Sequence, residues 1–120
     1  MTRDRRRLGK IKKWLFLNFP GEFPIRLTVG KMPKDSEDLV GAYFPPEDKE
    51  WGTILVSNEQ TQTEKINTFL HEWAHYRIDP WSEKASSSIH GGHTNEFYLE
   101  YGRIERAYFV ALGNELKLRN

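Results

Sequence analysis

The chain contains no cysteine. This excludes disulfides and every metal site built on thiolate, and leaves histidine and carboxylate to do any metal binding. No apolar run approaches the ~20 residues of a membrane-spanning helix, so no membrane partner is expected. An excess of one charge is also missing. Lys and Arg number 18 and Asp and Glu 17, for a net charge of +1, so the whole molecule carries no large single-sign field. Met1 to Arg7 is basic, but neither the apolar stretch nor the small-residue cleavage site of a secretory leader follows it. The expectation is an intracellular soluble protein. Histidine is scarce as well, at 4 in 120 residues, so its placement is informative.

The apolar fraction is 38% and the aromatic fraction 13%, enough for one hydrophobic core. Residues 1–120 read as a single α+β domain with no internal repeat. Leu8, Ile11 and Leu15 recur at helical spacing within 3–17, with Trp14 beside them. Arg3, Arg5, Arg6, Arg7, Lys10, Lys12 and Lys13 cover the other face. The plain reading is a solvated helix face, and the sharper one is a non-specific phosphate contact for DNA. Ile25 to Val29 alternates like a half-buried strand, and 31–38 reads as loop. Val40 to Phe44 and Trp51 to Val56 read as an antiparallel hairpin. Pro45 and Pro46 place the first of these two strands at a sheet edge. The fold expected is an N-terminal helix, a three-stranded mostly antiparallel sheet, a central helix and a C-terminal helix.

Thr61-Gln62-Thr63-Glu64 has the form of a capping box. Ile66, Phe69, Leu70, Trp73 and Ala74 then form one apolar stripe, and Pro80 ends the helix near Ile78 or Asp79. Trp73 reads as core. Ser82 to Gly92 reads as loop. Thr94 caps a last helix whose buried stripe is Phe97, Tyr101, Ile104, Tyr108 and Ala111, with Gly113 as its expected stop.

The chemistry lies in the central helix, at His71-Glu72-Trp73-Ala74-His75. Residues four apart on a helix share a face about 6 Å apart along the axis, so both imidazoles can reach one ion. Glu72 is rotated about 100° from His71, out of the ligand set but within reach of a water on the metal. Chance would assemble the pattern in about one such chain in a hundred, which limits the false-positive risk of the motif. A catalytic zinc takes three protein ligands and keeps one position open. Downstream candidates for the third are His90, His93 and Glu96. An extended metzincin pattern is excluded, because it needs Gly and His where this chain has Ile78 and Trp81.

The two-His helix, a short loop, and then Gly92-His93-Thr94-Asn95-Glu96-Phe97-Tyr98 together resemble the SprT-like metallopeptidases, the group of Spartan and the Wss-type proteases. Those proteins carry a third His followed four residues later by an aromatic, as His93 and Phe97 are here. Small bacterial and phage members tend to read His-Glu-Trp-Ala-His. Their second motif runs into an aromatic and Arg-bearing helix similar to Tyr101–Tyr108. A departure is Thr94-Asn95, where the family often has Gly-Pro after the third His. The resemblance covers about residues 61–110.

The resemblance implies a small zincin-like (minigluzincin-like) fold and a zinc metalloendopeptidase. It implies Zn2+ on His71, His75 and His93, Glu72 as general base, and a protein or peptide substrate. Its better-known members degrade proteins trapped on DNA, which the basic N-terminal helix would suit. Asp79 or Glu96 is a candidate to hold a ligand imidazole in orientation. Tyr98 or Tyr101 is a candidate donor to an oxyanion, with the core reading favoured for Tyr101. Two rivals stand beside the hydrolase. One is a catalytically inactive, metal-stabilised DNA- or protein-binding regulator. The other is a nucleic-acid-binding protein with an incidental His pair, which would bind no stoichiometric metal.

Overall fold

The computed structural model describes residues 3–81 and 93–119. The expected loop at 82–92, with His90, lies outside the described residues. The order is α1 (Arg3–Asn18), β1 (Ile25–Gly30), a short 3-10 turn (Lys34–Ser36), β2 (Gly41–Phe44), β3 (Gly52–Ser57), α2 (Gln62–Ile78) and α3 (Asn95–Arg119). The architecture is a small α+β domain of three helices on a three-stranded sheet. Among the described residues, no helix is long and apolar enough to cross a membrane.

The sheet is mixed rather than mostly antiparallel. Its strand order is β1-β3-β2. β3 pairs antiparallel with β2, from Gly41 opposite Val56 to Phe44 opposite Thr53, as expected of the hairpin. β1, however, pairs parallel with β3 over six residues, from Ile25 opposite Gly52 to Gly30 opposite Ser57. The segment after β1 carries the chain past the slot beside it, and the returning β3 fills that slot. Local alternation cannot report this, because both pairings produce it. β2 is left at an edge, as its prolines require.

The core is built from Leu8, Ile11 and Leu15 of α1, Tyr43, Ile54 and Val56 of the sheet, and Phe69, Leu70 and Trp73 of α2. Phe97 and Ile104 of α3 complete it. The expected stripes are therefore the buried ones, with Ile66, Tyr101 and Ala111 only half-buried at their margins. On α1, the side chains of Arg5, Arg6, Lys10 and Lys13 are exposed.

Thr61 and Glu64 form the capping box. The Thr61 N–H donates to Glu64 Oε1 at 2.8 Å, and the Glu64 N–H donates to Thr61 Oγ1 at 3.2 Å. Those bonds hold the Glu64 carboxyl below its ordinary range. α2 ends at Ile78, where the Asp79 N–H still reaches the His75 carbonyl at 2.9 Å. Its second half is tied down by side chains. Trp73 Nε1 donates to the Phe19 carbonyl at 2.9 Å, and the Tyr76 hydroxyl bonds to the Phe23 carbonyl. Arg77 donates to the Pro20 carbonyl, and the Tyr43 hydroxyl donates to the Pro80 carbonyl.

α3 does not stop at Gly113 but runs on to Arg119. A glycine ends a helix by turning left-handed, and Gly113 does not do so. It is tolerated inside the helix at an entropic cost, and a Cβ there would meet nothing within 4 Å. Gly113→Ala is expected to stabilise the protein by roughly 0.5–1 kcal/mol. A urea unfolding midpoint that does not rise would contradict a helical Gly113.

Candidate metal centre

α2 presents His71 and His75 one turn apart, with ring centroids 4.9 Å from each other. His93 comes from the residues just ahead of α3. Its ring centroid lies 5.2 Å from that of His71 and 5.0 Å from that of His75. Thr94 sets the entry: its carbonyl accepts from the Tyr98 N–H at 3.1 Å, and its Oγ1 accepts from the Phe97 N–H at 3.2 Å. The third side chain is thus delivered by the start of α3, and Thr94 is the cap expected there.

One ligand nitrogen from each of His71, His75 and His93 can be chosen so that all three lie within 4.8 Å of one another. A tetrahedral ion with bonds of about 2.0–2.1 Å wants nitrogens roughly 3.4 Å apart, which small rotamer adjustments reach from here. The donors are imidazoles, a set that suits zinc among several divalent metals. The residues fit such an ion. Glu96 is exposed in the first turn of α3, and the cluster is complete without it. Asp79 is exposed beyond the end of α2.

Phe97 is the platform of the cluster. Its ring stacks on His75 with centroids 4.2 Å apart and lies 5.0 Å from both His71 and His93. The sequence placed Phe97 in a buried stripe; its contact with all three imidazoles required the tertiary fold. His75 is 2% exposed. Burial, and then the neighbouring His71 and His93, push its pKa down to about 3. It is therefore a neutral imidazole near pH 7, the form that ligates metal.

Glu72 is 5% exposed. Its Oε2 lies 3.1 Å from His71 Nδ1, which leaves Nε2 as the other nitrogen of that ring. Its Oε1 is buried with no hydrogen-bond partner among the described residues. A buried carboxylate oxygen without a donor is costly, and a polar species held beside it would offset that cost.

A cleft of about 280 Å3 opens on this group. It is also lined by Leu39, Val40 and Gly41, where β2 begins, and by Asn67, Thr68 and Tyr101. Tyr101 lies 5.3 Å from the His71 ring, ring centre to ring centre. Burial and then Glu105 push its phenol up to about 12, so it stays a protonated donor near neutral pH. Tyr101 packs against the core, as expected, and also lines the cleft, whereas Tyr98 is 59% exposed. Gly41 marks a close approach. A Cβ there would collide with the Thr68 methyl and come within 3.5 Å of Glu72 Cγ. The glycine was not singled out in the sequence, although a glycine opening a strand is a recognised sign of close backbone approach.

Compared with protein-family models, with curated proteins and with solved structures, the chain matches none.

Three outcomes are expected. With the three imidazoles as a metal site, His93→Ala should weaken divalent-metal binding by at least about 100-fold, measured by competition with a chelator. Gly41→Ala should lower stability by about 1–3 kcal/mol through overpacking against Thr68; an unchanged unfolding midpoint would show that β2 does not depend on that contact. The folded pKa of His75 lies below the ordinary 6.5. The unfolded chain therefore takes up the proton first, and metal-free protein should lose stability as pH falls from about 6.5 toward 3. Replacing His75 with Phe should flatten that part of the urea-midpoint profile.

Proposed function

We propose that the chain is a metal-dependent peptide hydrolase of the SprT-like kind, with zinc as its ion. One observation carries the reading: three imidazoles face a common point beside a buried carboxylate, in a cleft walled by an edge strand. His71, His75 and His93 would hold the ion. When bound, such an ion supplies Lewis acidity, polarising a carbonyl and lowering the pKa of a water from 15.7 toward about 7.

The remaining work falls to the chain's own residues. Glu72 Oε1, buried and without a donor among the described residues, would take a proton from the attacking water and give it to the leaving amine. The buried Glu72 is a feature that a purely structural ion site has no use for, and it favours turnover over a metal-stabilised regulator. Tyr101 keeps its phenolic proton and lines the cleft; that proton is shared with Glu105, and it would have to turn from this carboxylate to donate to the oxygen that gains charge. β2 has a strand on one side only, so an extended peptide can align along its outer edge through main-chain hydrogen bonds. Phe97 closes one side of the imidazole cluster and keeps it dry.

Glu72→Gln should retain zinc with near-normal affinity and lose peptide cleavage by a factor of about 10³ or more. A zinc-loaded Glu72→Gln protein that cleaves casein or a fluorogenic peptide at the original rate would end the hydrolase reading.

A further inference from the structure

A second concavity, of about 540 Å3, lies where the N-terminal half of α1, the first turns of α2 and the C-terminal half of α3 meet. Its chemistry is two-sided. Arg6, Arg7 and Lys10 bring positive charge from α1, while Ile66, Phe109 and Leu112 are apolar. Arg7 is held in place, donating to the Tyr108 hydroxyl at 3.2 Å. Arg6 and Lys10 are exposed and have no carboxylate within ion-pair distance among the described residues. Among the described residues no acidic side chain lines the cavity, and Gln62 and Thr63 add the positive end of α2. These surroundings suit a ligand with negative groups on an apolar body. A concave, partly apolar site fits a nucleic-acid backbone less well, since that backbone favours an open line of cations.

The cavity is not isolated from the metal cleft, because Asn67 lines both. Asn67 stands one helical turn before His71, about 6 Å along the axis. The strand beside α2 runs in the same direction as the helix. At its start the Val40 carbonyl accepts from Gln60 Nε2 at 3.1 Å, just ahead of α2, and farther on Tyr43 bonds to the Pro80 carbonyl past the end of α2. A peptide laid along β2 and followed back toward the start of α2 therefore passes Asn67 and arrives at the cations.

We infer that this cavity is a subsite for an acidic segment of the polypeptide substrate, continuous with the metal cleft through Asn67. The register rests on the hydrolase reading; the binding does not require turnover. Asn67 and Thr63 lie about 6 and 12 Å before His71 along the helix. An extended chain advances about 3.3 Å per residue. The acidic residues would then sit about two to four places to one side of the bond being cleaved.

The test is fluorescence anisotropy of labelled peptides on zinc-loaded Glu72→Gln protein at low salt. Three peptides share one apolar centre. One carries Glu two to four places before it, one carries Glu two to four places after it, and one carries Gln at all of these places. The expected result is that one acidic peptide binds at least about tenfold tighter than the Gln peptide. The double change Arg6→Glu and Lys10→Glu should abolish that advantage. The double change Lys13→Glu and Lys34→Glu, equal in charge but outside the cavity, should preserve it. Equal binding of all three peptides would overturn the inference, and so would an equal loss in both double variants. Displacement of the acidic peptide by a single-stranded oligonucleotide at a tenfold lower concentration would also overturn it, making the cavity a nucleic-acid contact. Turnover is read separately, as cleavage of the Gln peptide by the unaltered chain, so failure of the hydrolase reading and failure of the subsite are different results.

Discussion

The packing of Phe97 against three imidazoles is the contact on which the rest depends. His71 and His75 are neighbours by helical geometry alone, but His93 joins them only because α3 docks on α2. Phe97 and Ile104 are fully buried in that docking, against a core that includes Phe69, Leu70 and Trp73. Burial of an aromatic of this size contributes about 2–3 kcal/mol. The energy that assembles the ligand set is therefore mainly apolar, and it is present before any ion arrives. The same ring stacks on His75, an imidazole that resists protonation because it is buried and has His71 and His93 beside it.

A site assembled in this way demands a rigid α2, and the chain supplies constraints at both ends. The capping box fixes the start, and Thr68 extends that anchorage by donating to the Gln60 side chain at 2.8 Å. Gln60 in turn reaches the Val40 carbonyl, so the wall of the cleft and the helix share one network. At the other end, the segment from Phe19 to Phe23 takes hydrogen bonds from Trp73, Tyr76 and Arg77. Arg77 also pairs with the buried Glu100 of α3 at 3.3 Å, tying the two helices together beyond the site. Free rotation or sliding of α2 would disturb the ligands, and these bonds oppose it from three directions.

What could be read in advance follows the range of each interaction. The limits of α2, its cap and its inward stripe are local, and they were legible from Thr61, Pro80 and the spacing of Phe69, Leu70 and Trp73. The hairpin and the edge position of β2 were legible from its prolines. The parallel partnership of β1 with β3 was not, because it depends on where a long connection places the returning strand. The end of α3 was misread because Gly113 permits a stop without forcing one. Within the site, the His pair was written in the spacing. The convergence of His93 rather than Glu96 turns on the entry angle of α3, a tertiary quantity, with Thr94 capping that entry through Phe97 and Tyr98.

Glu72 places a carboxylate among apolar and neutral neighbours, with one oxygen against His71 and the other without a donor among the described residues. His75 is held neutral by its surroundings and offers that carboxylate no compensating charge. A buried carboxylate oxygen left without a donor opposes folding unless a partner is supplied. A divalent cation on the three imidazoles would supply it within the same cluster, so ion binding and folding are thermodynamically linked here. The same carboxylate costs stability in the fold, and under the hydrolase proposal it is the group that would serve as base. An apolar residue would pack there without that cost, so a buried Glu72 agrees with the chemical role proposed for it rather than with one in packing alone.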